Sequence, residues 1–208
     1  MMKKNVFWTI CLSIVAIFIG RCIYYMARNA SYEPQNGDVI FHVSESGQSD
    51  AIKIGTLSRY SHCGIIIMKK GKPYVLEAER GVELTPLSQW INRGVMGKHY
   101  RVMRLKKETE LELKYLLGGK YDKSFQFNNG KYYCSELVWE MYKKNGILLC
   151  EPKEIQDYHF LYVPEVKRHF VTRGFKMDQK VVAPVDLVKS KELKTVAYGY
   201  GKIEVNYE

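Results

Sequence analysis

Apolar residues along this chain change their spacing several times, and each change marks an element. Residues 6–20 are apolar except for Thr9 and Ser13, which predicts an N-terminal helical segment. Gly37-Asp38 leads into the short apolar run 39–43, a strand bounded by the polar stretch 44–48. Residues 49–58 read as a helix, with Ser49 as N-cap and Ala51, Ile52 and Gly55 on one side. The runs 63–68 and 73–78 flank Lys69-Lys70-Gly71-Lys72, a β-hairpin with a lysine-rich turn. Thr85-Pro86 reads as an N-cap followed by proline at the first helical position, opening a short helix through Trp90. Residues 100–105 alternate apolar and basic side chains as a strand does. Residues 108–117 read as a helix stopped by Gly118-Gly119. A further helix is predicted over 133–145, with Leu137, Val138, Met141 and Tyr142 on its apolar stripe and Gly146 at its end. No internal repeat is present. The division expected is an N-terminal segment over 1–30, one α+β domain over 35–195 and a polar tail over 196–208.

Composition narrows the function classes. A chain of 208 residues, 46% of them apolar, fills one core of ordinary size. The net charge is +10, but Lys3, Lys4, Arg21 and Arg28 supply four of those charges without an acid among them. The remainder is only mildly basic, and its lysines are scattered rather than interleaved with aromatics in a stripe, so no nucleic-acid partner is expected. Lys3 and Lys4 ahead of the apolar run read as an export signal, which places the protein in the cell envelope, membrane-anchored or extracytoplasmic. At about fifteen residues the run is short for a span of roughly twenty, although residues 22–27 extend it. Cleavage, retention as an anchor in the membrane, and lipidation at Cys22 are the alternatives; Arg21 immediately before Cys22 disfavours the last.

Beyond Cys11 and Cys22 the exported part holds Cys63, Cys134 and Cys150. An odd count leaves at least one thiol unpaired within the chain, and a Cys63–Cys150 disulfide would isolate Cys134. No C-x-x-C occurs, and neighbours such as His62 and Cys63 point to opposite faces of a strand, so no metal site and no cofactor are expected. Tyr132-Tyr133-Cys134-Ser135-Glu136-Leu137 places Cys134 at the first turn of an amphipathic helix, where unpaired N–H groups and the helix dipole favour a thiolate.

The hairpin supplies a base for that thiol. If residues 68 and 73 close the turn, Glu79 lies opposite His62 and Glu77 lies on its diagonal, both on the histidine face, with Gly64 leaving space beside them. A carboxylate on one imidazole nitrogen fixes the tautomer and leaves the other nitrogen for the thiol. The competing structural reading makes Cys134 a small buried hydrophobe and His62 an ordinary strand-edge residue.

Five blocks in order carry a family resemblance: residues 37–41, Gln48-Ser49-x-Ala51-Ile52, Tyr60-Ser61-His62-x-Gly64-Ile65, Leu76-Glu77-Ala78 and Tyr133-Cys134-Ser135-Glu136-Leu137. With Thr85-Pro86-Leu87 and Ala183-Pro184-x-Asp186-Leu187, the chain over about residues 35 to 190 resembles the permuted papain-like amidases of the YiiX/YaeF type, within the NlpC class of cysteine hydrolases. The resemblance implies a circularly permuted papain-like fold, an antiparallel sheet packed on the nucleophile helix, in which the strands carrying the base precede the nucleophile. It implies Cys134 as nucleophile, His62 as general base and acid, and Glu77 as orienting member, with Glu79 the alternative. Thiolate attack on an amide would then pass through a thioester. The Cys134 backbone N–H, the Tyr60 hydroxyl, Gln48 and Ser135 are candidates for binding the oxyanion or substrate; Ser49 reads rather as a cap. Cell-wall peptides are the substrate class expected of an exported member. Lipid amides or acyl transfer to lipids, suggested by the aromatic content, are the second, and an inactive binding module the third.

Overall fold

In a computed structural model the chain is described over residues 2–30, 32–45, 47–95, 99–113, 117–159 and 163–200. Its centre is a six-stranded antiparallel sheet. Strands β1 (Val39–His42), β2 (His62–Lys69), β3 (Lys72–Ala78), β4 (Val82–Pro86), β5 (His99–Leu105) and β8 (Leu193–Tyr200) lie in the order β4-β3-β2-β1-β5-β8. β6 (Lys153–Glu154) and β7 (Lys180–Val181) form a separate small ladder. The helices are α1 (Met2–Ala30), α2 (Gly47–Thr56), α3 (Leu87–Asn92), α4 (Cys134–Lys144), α5 (Pro164–Thr172) and α6 (Pro184–Val188).

The strands read as nearly continuous apolar runs because both faces of the sheet are covered. Period-two alternation sends Phe41, Cys63, Ile65, Ile67 and Leu76 to the α4 face, where they meet Leu137, Val138 and Tyr142. It sends Ile40, Ile66, Val75 and Val102 to the opposite face against Leu87, Trp90 and Ile91 of α3. A third cluster, including Ala51, Phe125, Ile155, Phe170 and Val181, joins α2 to the C-terminal elements beside the start of α4.

The β2–β3 hairpin has the register its turn predicts, with Ile65 opposite Leu76 and Met68 opposite Pro73. Lys70 and Gly71 take the positive φ values, 51° and 73°, of a two-residue turn that matches strand twist. Gly64 is required by packing: a Cβ there would stand 2.4 Å from Val75 Cγ1 and 2.6 Å from the Leu76 carbonyl oxygen.

Several elements differ from the sequence reading. Residues 108–113 are not helical; Leu111 and Leu113 both pack on the core beneath α4, a period-two arrangement, and the Glu112 N–H donates to Asn145 Oδ1 at 2.7 Å. The remainder of that expected helix, residues 114–116, lies outside the described residues. Thr85 belongs to β4, and Pro86 is the N-cap of α3. α2 begins at Gly47, so Ser49 stands inside its first turn. The polar tail expected from residue 196 is sheet as far as Tyr200, because β8 pairs with β5; residues 201–208 lie outside the described residues. Among the described residues no helix is long and apolar enough to cross a membrane, although α1 exposes Trp8, Leu12, Ile17 and Phe18.

Candidate active site

Cys134 is the first residue of α4, and Tyr133 is its N-cap in an extended conformation. The preceding turn is locked from two sides. Tyr133 Oη accepts the Val182 N–H at 3.1 Å, and the Ser135 hydroxyl donates to the Val182 carbonyl at 2.7 Å. The thiol is nearly buried, at 7% exposure, and faces a cleft. Its sulfur is hydrogen-bonded by Cys63, through both thiol and backbone, and by His62. The Cys63 hydrogen bond is the largest influence and holds the Cys134 thiol well below its ordinary range; burial opposes this, and the positive charge of His62 adds to it. Cys63 itself is pushed up, foremost by burial. Cys63, Cys134 and Cys150 are all free thiols, so a Cys63–Cys150 bridge is not formed.

His62 opens β2. Its Nε2 lies 2.7 Å from Glu77 Oε2, which leaves Nδ1 for Cys134. Burial works to keep this imidazole neutral, but the Cys134 thiolate and then Glu77 outweigh it, and His62 is raised to about 10. Glu77 is fully buried at the end of β3. Burial disfavours its charge, yet the bonds from His62 and Thr85 and the nearby Arg93 lower it to about 2. Its carboxylate has no spare acceptor direction: Thr85 Oγ1 donates to Oε1 at 2.5 Å, Trp90 Nε1 to Oε2 at 2.9 Å, and Arg93 Nη2 to Oε1. Cys134, His62 and Glu77 therefore stand in one chain of contacts. That is the geometry of a thiolate–imidazolium pair oriented by a carboxylate.

The other candidates separate. Glu79 makes its contact with Arg93 Nη1, at 2.5 Å. Tyr60 packs its ring against Phe41 and His99, with centroids 5.8 and 5.6 Å away, and does not line the cleft. Gln48 does line it, and its Nε2 reaches Tyr121 Oη at 3.4 Å. Ser135 lines it too, but its proton is committed to Val182. Ser49 donates to the Ser61 hydroxyl at 2.5 Å.

Four contributors were not read from the sequence. Tyr121 faces the cleft from a loop, where no periodicity marks it. Trp90 and Arg93 reach Glu77 from α3, which lies behind the hairpin in space. His42, directly opposite His62 in β1, stacks on Trp90 with centroids 3.7 Å apart and planes 11° from parallel. Burial, then the positive charges of His62 and Arg93, hold it neutral. The one legible signal was His42 itself, a polar residue inside an apolar strand.

The cleft beside Cys134 has a volume of about 930 Å³, including its open mouth. Ser44, Gln48 and Ser61 form a polar edge, and Ile52, Phe125, Tyr158, Phe170 and Val181 an apolar wall. Among the described residues no group of three or more His, Cys, Asp or Glu side chains is placed to hold a metal ion.

Comparison with known proteins gives consistent results. The family described as permuted papain-like amidase enzyme, YaeF/YiiX, C92 family, matches residues 33–197. The uncharacterized protein YiiX of Escherichia coli (strain K12) is 36% identical over 179 residues, covering 80% of this chain and 88% of that protein. The crystal structure of a metalloprotein, yiiX from Escherichia coli O157:H7, superposes with a TM-score of 0.75 at 35% identity, covering 81% of this chain and 99% of that one. The match runs from ahead of β1 into β8 and so takes in the first five strands of the sheet, most of β8, and α4. On sequence and fold together, this chain belongs to the permuted papain-like amidases of the YaeF/YiiX, C92 family.

Proposed function

We propose that the chain is a cysteine amidase in which Cys134 is the nucleophile, His62 the general base and acid, and Glu77 the residue that orients His62. The carrying observation is the unbroken contact from the Cys134 thiol through His62 to a carboxylate that four donors hold in place. The thiolate attacks the amide carbonyl carbon, and the carbonyl pair moves onto oxygen. The Cys134 backbone N–H at the start of α4 is one donor to that oxyanion. Tyr121 is the second: Gln48 donates to its oxygen, so its own proton is free to point into the cleft. Collapse expels the amine as His62 protonates it, leaving a thioester; His62 then takes a proton from water, which hydrolyses the thioester.

For the substrate, the apolar wall formed by Phe125, Tyr158, Phe170 and Val181 favours an amide whose acyl side is apolar, as in a lipid amide. A cell-wall peptide is the second reading, supported by the polar edge of Ser44, Gln48 and Ser61. Export to the envelope, on the N-terminal Lys3-Lys4 and the apolar run that follows, belongs to both readings.

Rapid mixing with p-nitrophenyl acetate tests the chemistry. A burst of nitrophenol accompanied by one acetyl group on Cys134, absent in Cys134→Ala, is expected. Nitrophenol release that survives in Cys134→Ala would show the nucleophile to be misassigned. Incubating the protein with N-acyl amides and with muropeptides in parallel then separates the substrate classes, and release from neither sinks both.

A further inference from the structure

Glu77 and Glu79 are two residues apart and fall on the same side of the chain as β3 ends. Both carboxylates meet a single cation. Arg93, the C-cap of α3, sends Nη1 to Glu79 at 2.5 Å and Nη2 to Glu77, with Thr85 Oγ1 a further 3.4 Å neighbour of Nη2. Its Nε is buried without a hydrogen-bond partner, so the terminal nitrogens alone hold the guanidinium. Arg93 does not line the cleft, whereas Glu79 does.

We infer that Arg93 is a positioning residue for the reaction, acting through Glu77, and that Glu79 anchors Arg93 rather than orienting His62. This rests on the catalytic reading of Cys134, His62 and Glu77 proposed above. Two nearby carboxylates without a cation repel one another, and one of them takes up a proton. Glu77 is the buried member, so its protonation would turn an acceptor for His62 into a donor. Arg93 prevents this by placing a positive charge against both carboxylates. Because it occupies Oε1 together with Thr85, Oε2 is left facing His62 Nε2 with Trp90 alone beside it. A planar fork is suited to holding such a pair, since one arm for each carboxylate fixes both the position and the rotation of the guanidinium.

The test reads the pH dependence of Cys134 alkylation by iodoacetamide in the full chain, which needs no substrate, together with kcat and KM on p-nitrophenyl acetate. Arg93→Gln should move the acid limb of alkylation to higher pH and lower kcat about tenfold or more, the scale of a lost charge-assisted hydrogen bond, while leaving KM unchanged. Arg93→Lys keeps the charge and loses the fork, so its acid limb should stay at the wild-type position while kcat falls by a smaller factor. Glu79→Gln should lower kcat much less than Glu77→Gln. The inference is overturned if folded Arg93→Gln keeps both its acid limb and its kcat, or if Arg93→Lys shifts the limb as far as a neutral residue does. It is equally overturned if Glu79→Gln matches Glu77→Gln. Activity surviving in Cys134→Ala would instead remove the catalytic reading beneath it, a distinguishable result.

Discussion

The Cys134 thiol has two neighbours that act in the same direction by different physics. His62 contributes its charge and a hydrogen bond, whereas Cys63 contributes hydrogen bonds alone, its thiol being the largest single influence. Cys63→Ala deletes the thiol donor and leaves the backbone one, so the Cys134 thiol should rise toward its ordinary value. Alkylation by iodoacetamide below neutral pH should slow about tenfold for each unit of that rise; an unchanged pH profile would show that the Cys63 thiol does not set the thiolate. Glu77→Gln acts on the other limb. The carboxylate is one of the groups that raise His62 to about 10, and removing its charge moves His62 down toward 6.5. The alkaline limb of the rate profile should therefore move to lower pH. The variant also leaves Arg93 facing an uncharged amide in a buried setting, a cost of about 1–3 kcal/mol in stability that a denaturant melt would register.

Among the elements, the hairpin does most to place the site, because its register sets which side chains share the histidine face. That register was legible: the turn at Lys70-Gly71 and the run of β-formers on either side leave one pairing that keeps Cys63, Ile65 and Ile67 on the α4 face. Helix α4 was legible for the same reason, as an apolar stripe with a glycine stop. The choice between Glu77 and Glu79 was not, since it depends on Arg93, which arrives from α3 by a tertiary contact. Thr85 shows how such contacts override local signals, since a good N-cap residue stands in β4 with its hydroxyl on Glu77. Leu111 and Leu113 likewise follow a period of two, but the surrounding Glu and Lys residues are strong helix formers and masked it. Gly64→Ala tests the close approach of β2 and β3. Its methyl group would overlap Val75 Cγ1 and the Leu76 carbonyl, so the variant should lose about 1–3 kcal/mol, seen as a lower melting temperature. An unchanged melt would mean that the strands separate at no cost.

At the scale of the whole molecule, the stability of the fold carries the signature of buried groups whose proton affinity the fold has changed. Glu77 is depressed to about 2, so it stabilises the fold above its unfolded value, and that contribution is lost as pH falls through about 2. His62 is raised to about 10, so its contribution is complete below 6.5 and is lost as pH rises through about 10. Glu136, two residues after Cys134, is the unusual one. Burial, reinforced by Asp122 and Glu140, lifts its carboxyl to about 8 against the single backbone N–H of Tyr133 that favours the charged form. Between its ordinary range and about 8 the folded chain holds a proton there that the unfolded chain has released, and stability must fall with rising pH. Glu136→Gln keeps an acceptor for the Tyr133 N–H and removes the titration. Subtracting the wild-type unfolding free energy from that of the variant cancels the common groups. The variant should gain on the wild type as pH rises from about 5 to 8, by no more than about 1.4 kcal/mol per pH unit, the slope of a single proton. Denaturant melts of both proteins across that range measure the difference. A difference that stays flat would mean that Glu136 is ionised in the native fold at neutral pH, and that the start of α4 carries a buried negative charge two residues from the thiol.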